Sequence, residues 1–527
     1  MSVLRNVKRG FSSITSVPVV FGILIVVNLL ATAFYVRADM TDSKIYSLSD
    51  ASKRIARSLD DPVVVKLYFT EELPAPYNQH ARYLKDQLYE YQNYSGGLLR
   101  FEFIDPVKQD REQEARQMGI PPVQVNAVEK DKIELKKVYM GAVFLFEDKR
   151  EVIPVIQSTD NLEYEISSAL MKVTTEELPQ VGILQGHGES DIAEDISLGA
   201  QTLRQLYDVR VITIAPGQLL DETLVTLLIV GPTDSLSLWE QYAIDQFIMR
   251  GGRVAVYYDP VTVDVQVQSA TTLENNWEEF LAHYGIGFQE GLVLDTRNSR
   301  IAVMQQQGAI RFQNVVEFPF LPQVYNFNDE NMIGKDLEAV NLPFVAPLDS
   351  TVADSLGYDF EPICWSSGQS GIRRPPYHLS PMQEFTQSDF NQPFQVLAAV
   401  IYGSFQSAFP DGPPAMADTA IDLSALPPVQ TEGDPNRLVV VGDAEFCGDR
   451  HMQRNPSNAA MFLNVVDWLT QEEGLITIRS REVISRPLEE VSDGTRQAVK
   501  YANIFGPPVL VVVFGLIRWQ TKRRRKR

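Results

Sequence analysis

The chain has 527 residues, enough for about three domains, and 44% of its residues are hydrophobic while 22% are charged. This ordinary globular balance excludes a disordered, collagen-like or disulfide-scaffold protein. The net charge of −21 argues against a nucleic-acid-binding protein, which needs a basic surface.

The N-terminal segment predicts a membrane anchor. Residues 10–36 carry no charge, and a helix of about 20 apolar residues already crosses a bilayer core of ~30 Å. We therefore predict a cytoplasmic tail over 1–10 and a transmembrane helix over 11–36. The alternative is a cleaved signal peptide with Ala31-Thr32-Ala33 as its site, although the apolar stretch exceeds the ~7–15 residues usual there.

Residues 45–178 predict an external α/β domain. A strand covers Val63–Phe69, and apolar residues then recur at helical spacing between positions 77 and 91. The elements predicted next are a strand over 98–104, a helix over 109–118, a strand over 123–125 and a hairpin over 138–156. This order resembles a thioredoxin-like fold, with Pro122 near the proline that such folds place before a strand. Because the domain contains no cysteine, redox chemistry is excluded.

Residues 179–295 and 436–484 predict a second external domain with a parallel sheet, because short apolar strands alternate with amphipathic helices. The predicted strands cover 181–184, 209–214, Leu224–Val230, 253–258, 438–441 and 475–478. Ser237 and Glu240 form an S-x-x-E capping box for one of the helices.

Three further segments complete the predicted organisation. Residues 296–435 are punctuated by glycine and proline, and we interpret them as an insertion with little regular pattern. Residues 485–500 predict a polar stalk, and 501–519 predict a second, shorter transmembrane helix. Residues 520–527 form a basic cytoplasmic tail that suits anionic lipid headgroups.

Charge at the two ends predicts the orientation of the chain. Residues 1–36 and 504–527 contain basic residues and no acidic ones, so the segment between them is more acidic than the whole chain. Basic flanks remain on the cytoplasmic side of a membrane. We therefore expect both termini in the cytoplasm of a bacterium and the bulk of the chain in the periplasm, anchored to the inner membrane.

A set of short motifs, in order along nearly the whole chain, carries a resemblance to a known family. They are Tyr46-Ser47-Leu48-Ser49, Phe103-Ile104-Asp105-Pro106, Gly186-His187-Gly188-Glu189, Gly251-Gly252-Arg253-Val254, Asp259-Pro260, Val441-Gly442-Asp443, Asn464 through Trp468-Leu469, and Ile478-Arg479-Ser480-Arg481. The set is similar to the GldG-like auxiliary subunits of ABC transporters, named for bacterial gliding motility. No motif is specific alone, and residues 296–435 contribute none.

The resemblance implies a membrane-anchored, substrate-binding-like subunit with a separate permease and ATPase as partners. It also implies a central domain of the glutamine-amidotransferase type without the catalytic cysteine. In agreement, neither Cys364 nor Cys447 lies in a G-x-C-x-G elbow. The chain has no G-x-x-x-x-G-K-[ST] loop with which to hold ATP phosphates.

Polar residues follow several predicted strands and form the candidate ligand site. They are His187, Glu189, Asp259, Asp443 and Glu445. Ligands of parallel sheets bind beyond the carboxyl ends of the strands, so these residues predict an acidic cleft for a cation, a sugar or an amine. The alternative is that the two aspartates only shape turns by capping backbone amides.

The turn Gly186-His187-Gly188-Glu189 is the most distinctive part of that site. Glycines on both sides of the histidine allow close backbone approach, and we expect His187 to be presented rather than packed, with Glu189 as its hydrogen-bond partner. The alternative is a tight strand-to-helix connection whose polar groups satisfy local amides.

Catalysis has little support in the sequence. The five histidines are scattered without an H-x-x-x-H pair, and the two cysteines form no C-x-x-C, so we predict no catalytic residue and no cofactor and leave metal binding open. A disulfide between Cys364 and Cys447 also stays open. The sequence therefore predicts a non-catalytic auxiliary subunit that binds or gates substrate. The alternatives are a free-standing periplasmic ligand sensor and a degenerate hydrolase.

Overall fold

The computed structural model describes residues 47–470, except 76, 130–131, 157, 160–161, 176, 308–309, 336 and 416–425, together with residues 500, 501, 503, 505 and 515. The chain divides into two compact units, Met1–Val483 and Ile484–Arg527. The described residues of the second unit are helical. All the sheets described below belong to the first unit.

The described helices of the first unit are α1 (Asp50–Arg57), α2 (Tyr77–Tyr94), α3 (Glu112–Gln117), α4 (Leu162–Thr174), α5 (Ser197–Leu203), α6 (Leu238–Met249), α7 (Trp277–Ala282), α8 (Ser350–Leu356), α9 (Asp449–Arg454) and α10 (Pro456–Thr470).

The strands of its N-terminal half are β1 (Val63–Phe69), β2 (Leu99–Ile104), β3 (Val123–Glu129), β4 (Lys132–Val138), β5 (Met140–Phe146), β6 (Lys149–Ile153), β7 (Gln180–Leu184), β8 (Asp208–Ile212), β9 (Leu224–Val230), β10 (Arg253–Tyr257), β11 (Val261–Asp264) and β12 (Ser269–Thr272). The strands that follow are β13 (Leu292–Asp295), β14 (Asn298–Gln307), β15 (Ile310–Val324), β16 (Asn326–Phe327), β17 (Val340–Asn341), β18 (Asp359–Trp365), β19 (Ser370–Arg373), β20 (Tyr377–His378), β21 (Val396–Gly403) and β22 (Asn436–Val441).

The first sheet has the strand order β2-β1-β5-β6. Strands β1 and β2 are parallel, whereas β5 is antiparallel to both β1 and β6. The helix predicted after β1 forms as α2, and its apolar face buries Leu84, Leu88 and Tyr91 completely. It is followed by Gly96 and Gly97, both with positive φ, a conformation that glycine adopts at little cost. The prediction missed β4, which pairs with β3 in a separate hairpin.

The second sheet has eight strands in the order β16-β18-β21-β22-β10-β9-β7-β8. The run from β22 to β8 is parallel throughout, as the alternation of strands and helices predicts. The other three strands are antiparallel to their neighbours, so the sheet is mixed rather than purely parallel. A mixed sheet results when strands from a later segment extend one edge of a parallel core.

Helices cover both faces of the parallel strands. Along β10, Val254 and Val256 face a core formed with α6 and α7, while Ala255 and Tyr257 face a core formed with α5 and α10. All four residues are at most 2% exposed. The Ser237–Glu240 capping box at the start of α6 is confirmed. The continuous apolar runs of the central strands follow from this burial on both faces.

Residues 296–435 contradict the expectation of little regular pattern. This segment supplies β14 to β21 and α8, and three of its strands, β16, β18 and β21, extend the second sheet. The register of β18 against β21 shifts after Pro362, a residue that cannot donate a ladder hydrogen bond. The proline and glycine residues of this segment therefore led to a prediction of irregular structure where strands in fact form.

Several predicted segments lie outside the described residues. They are the tail over 1–10, the helix over 11–36, the strand over 475–478, the tail over 520–527, and most of the stalk over 485–500 and of the helix over 501–519. Within the described ranges, none of the helices combines the length and the apolar character that a bilayer crossing needs.

Candidate functional site

The predicted site residues lie beyond the carboxyl ends of the central strands of the second sheet, a region called the sheet edge below. Strands β22, β10, β9 and β7 are consecutive neighbours and parallel, so their carboxyl ends lie side by side. Backbone hydrogen bonds connect the loops there: the amide of Ser190 donates to Val230 at 2.9 Å, and that of Gly231 donates to Tyr257 at 2.8 Å. The strand order therefore brings the predicted residues to the same edge, as two groups.

The first group is centred on His187, which is buried with 5% exposure. Its Nδ1 lies 3.0 Å from Oε1 of Glu189, and its Nε2 lies 3.2 Å from Oε1 of Glu240. The Glu189 side chain is itself only 1% exposed. The contact with Glu189 was predicted, but the expectation that His187 is presented rather than packed is wrong.

The backbone explains why His187 is packed. Its carbonyl oxygen accepts hydrogen bonds from the amides of Thr233 and Asp234, each at 2.8 Å, which fix the turn against the loop after β9. Gly188 has a φ of 74°, and a Cβ at this position would lie 2.0 Å from Oγ1 of Thr233. Only glycine permits this approach, and the histidine ring is consequently held beneath the loop.

Glu240 is the residue of this group that the sequence analysis did not assign to the site. It was predicted only as the capping-box partner of Ser237, and its Oε2 does accept from the Ser237 amide at 2.7 Å. The other oxygen of the same carboxylate reaches His187. Local sequence could not show this second contact, because it depends on the start of α6 lying beside the turn after β7.

The electrostatics of the first group are those of an ion pair. The hydrogen bond that His187 donates to Glu189 is the main cause that raises the pKa of His187 above its ordinary value, and Glu240 adds to it. Burial acts to raise the pKa of Glu189, but the hydrogen bonds from His187 outweigh it and the pKa is lowered. The two carboxylates therefore favour the protonated form of His187 more than water does.

The second group consists of Asp259, Asp443 and Glu445. Asp443 is fully buried; its Oδ1 accepts from the Phe446 amide at 3.2 Å, while its Oδ2 has no hydrogen-bond partner in the described part of the chain. Asp259 is partly buried and accepts from the Ala444 amide at 3.0 Å. Glu445 is exposed at the start of a 3-10 turn.

These carboxyl groups carry less charge than an acidic cleft would. Burial, reinforced by Asp259, raises the pKa of Asp443 well above its ordinary value. Burial, reinforced by Glu445, raises the pKa of Asp259 to about 8. Both aspartates therefore favour the protonated form at neutral pH, and each caps a backbone amide, as the alternative interpretation expected.

The two groups are separated by closely packed loops. A Cβ built on Gly231, after β9, would lie 3.2 Å from Cβ of Ala444 and 3.5 Å from Oγ of Ser190. The loops after β7 and β22 thus meet at this glycine. Within the described residues, no cluster of three or more histidine, cysteine, aspartate or glutamate side chains could hold a metal ion.

Both cysteines are fully buried and unbridged. Burial raises the pKa of the Cys364 thiol to about 12. Burial, with Asp443 and Asp259 nearby, raises the pKa of the Cys447 thiol well above its ordinary value. Because the thiolate is the reactive form, neither cysteine is prepared to act as a nucleophile.

Comparison with known proteins places the chain in a family. Residues 178–469, more than half of the chain, match the family described as "ABC-type uncharacterized transport system". The chain belongs to this family. The match covers the whole second sheet and both polar groups at its edge. Residues 42–145 match a domain of unknown function.

Two individual proteins are also similar. An uncharacterized protein of Borreliella burgdorferi is 22% identical over 502 residues, which cover 93% of this chain and 94% of that protein. The N-terminal domain of mmIFT52 aligns with 55% of this chain and 98% of its own length, at 12% identity and a TM-score of 0.33. The first relative extends over both sheets, so the similarity is not confined to the family region.

Replacing His187 by glutamine should destabilise the fold in a pH-dependent manner. A hydrogen bond to a charged group contributes about 1.5–3 kcal/mol, and the variant should lose an amount of this order at low pH. Because folding raises the pKa of His187 above 6.5, its ordinary value, this stabilisation is complete below pH 6.5 and is lost as the pH rises through the raised pKa. Chemical denaturation of the wild-type protein and the variant at several pH values measures this difference in unfolding free energy.

The pH range of this denaturation experiment has a lower limit, and a second histidine variant serves as its control. Above the ordinary glutamate pKa of 4.5, Glu189 and Glu240 remain charged, since the pKa of each is lowered further in the fold. His378→Gln, at an exposed histidine, should leave the unfolding free energy unchanged. A His187→Gln deficit of equal size at every pH would show that the ion pair does not contribute.

Proposed function

We propose that the chain is a non-catalytic auxiliary subunit of an ABC transporter complex, which associates with a separate permease and ATPase and binds or gates substrate. The family match over residues 178–469 is the observation that carries this proposal. The similarity to the Borreliella burgdorferi protein over 93% of the chain is compatible with it. The motif set favours the GldG-like branch of such subunits.

The chemistry of the sheet edge supports a role without catalysis. A cysteine-dependent hydrolase needs an activated thiolate, whereas Cys364 and Cys447 are buried with raised thiol pKa values. His187 is held between two carboxylates that it already bonds. These side chains stabilise the protein itself, which suits a subunit that acts by contact with other proteins.

A ligand role of the sheet edge remains part of the proposal. His187, Glu189, Asp259, Asp443 and Glu445 are the residues to which we assign it. Its best support is Oδ2 of Asp443, a buried carboxyl oxygen without a hydrogen-bond partner among the described residues. Such an atom gains from a ligand that offers a hydrogen-bond partner, for example an amine or a hydroxyl group, since each of these can both donate and accept.

We infer the finer fold types from strand order. The arrangement β2-β1-β5-β6, with one parallel and two antiparallel pairs, supports a thioredoxin-like type for residues 45–178. The parallel strands from β22 to β8, with helices on both faces, support a non-catalytic amidotransferase-like type for residues 179–295 and 436–484.

We also propose that the chain is anchored in a bacterial inner membrane by helices over 11–36 and 501–519. The support is the uncharged stretch 10–36, the uncharged stretch 501–517 and the basic residues that flank them. In this arrangement both termini are cytoplasmic and both sheets lie in the periplasm.

Affinity purification tests the proposed partners. The tagged full-length chain, extracted in mild detergent, should recover a polytopic permease and an ATPase in fixed proportion to itself. Mass spectrometry of the purified sample measures the proportion. We expect both proteins to be recovered because the chain has no ATP-binding loop of its own, so a transporter that contains it needs a separate ATPase and permease.

The same purification includes its control and its contrary result. A tagged membrane protein of an unrelated family should recover neither partner under identical conditions. Recovery of the chain only as a monomer or homodimer would contradict the proposal and favour the free-standing periplasmic sensor.

Reporter fusions test the proposed orientation. A reporter that is active only in the cytoplasm should be active when fused after Arg527, and a reporter active only in the periplasm should be inactive there. Insertion of the same reporters at Asp148, an exposed turn residue, should give the reverse pattern. Periplasmic activity at Arg527 would overturn the two-anchor arrangement, and a mature N-terminus near Phe34 would show cleavage of the first segment.

A further inference from the structure

The strands β14 and β15 form a long antiparallel ribbon with an irregular base. Their register is continuous from Gln307 opposite Ile310 to Arg300 opposite Glu317, and then shifts so that Asn298 lies opposite Pro322. The extra residues of β15 include Phe318 and Phe320, both buried in a hydrophobic core. A bulge of this kind bends a ribbon and redirects the side chains beside it.

A shallow cleft of about 770 Å³, widely open to solvent, lies at this bulge. Its lining is mainly polar and includes Thr296, Arg297, Arg300, Glu317, Gln323 and Tyr325. The volume is within the range of sites for small organic ligands, which is roughly 300–1,000 Å³. The lining differs from most such sites in having few apolar groups, so a polar ligand is the better fit.

The charged side chains that line the cleft indicate that its ligand is negatively charged. Arg300 forms an exposed pair with Glu317 at 3.3 Å, whereas Arg297 has no carboxylate within ion-pair distance among the described residues. The cleft thus contains two guanidinium groups and one carboxylate, in a chain whose net charge is −21. A guanidinium group presents a planar set of donors that matches a carboxylate or a phosphate.

Arg297 is held in a fixed position by its surroundings. Its backbone amide donates to Oδ1 of the buried Asp295 at 2.8 Å, and its carbonyl oxygen accepts from the Gln323 amide at 2.9 Å. Its guanidinium group lies over the ring of Tyr325, 5.7 Å from the ring centre, and that ring is 49% exposed. A fixed backbone and a stacked guanidinium reduce the entropy lost when a ligand binds.

We propose that this cleft is a binding site for an oxyanion, the carboxylate or phosphate group of a small polar ligand, with Arg297 as the residue that binds it. The exposed ring of Tyr325 offers a flat surface for the body of the ligand, such as a sugar ring. Glu317 opposes the anion and limits its affinity. The site is separate from the sheet edge and does not depend on the proposed transporter role.

Three sugars that share a ring but differ in charge test the proposal: glucuronate, glucose 6-phosphate and glucose. Calorimetric titration of the full-length chain in detergent should show binding of at least one anionic sugar and no binding of glucose. The preference between the two anionic sugars distinguishes a carboxylate from a phosphate. Binding should weaken as salt is added, because the contact is charged and accessible to solvent.

Two variants and a control complete the experiment. Arg297→Gln should weaken binding tenfold or more, and Glu317→Gln should strengthen it, since the repelling carboxylate is removed. Arg210→Gln, at an exposed arginine of β8, should have no effect. Equal binding of glucose, no binding of any sugar at millimolar concentration, or equal behaviour of Arg297→Gln and Arg210→Gln would each overturn the proposal.

Discussion

The parallel strands of the second sheet are buried on both faces, and this constraint decides where polar side chains can lie. Along β10, successive residues from Val254 to Tyr257 face opposite cores and are all nearly inaccessible to water. A charged group within the buried part of such a strand would lose its hydration without compensation. The acidic residues and the histidine of the candidate site therefore lie in the loops after the strands, where backbone amides and neighbouring loops supply hydrogen bonds.

The same edge stabilises its charged groups in two different ways. His187 is buried together with two carboxylates, so the charge is kept and neutralised by its partners. Asp443 is buried beside Asp259, a group of the same sign, so its pKa rises and the proton is retained. Both arrangements reduce the cost of burying a charge, and neither leaves a cluster of metal ligands in the part of the chain described.

The regular parts of the fold could be predicted from sequence because their signals are local. Val63–Phe69 and Leu224–Val230 form strands with the predicted bounds, since each is a mainly apolar run that begins after Pro62 or ends before Gly231. Strand β21 is a continuous apolar run that was missed because it lies within a segment interpreted as irregular from its proline and glycine content. Strand β18 was missed because Pro362 interrupts its apolar pattern and its partner β21 is distant in sequence. The contact between Glu240 and His187 was missed for the same reason: it depends on packing of separate elements, which no local motif encodes.

We propose that the chain acts through partner proteins and catalyses no reaction itself. The rate of ATP hydrolysis by the permease and ATPase, reconstituted in lipid membranes with and without the full-length chain, tests it most directly. We expect that the chain alone hydrolyses no ATP and that adding it in equal amount changes the rate of the complex. A rate that is the same with and without the chain would contradict this role.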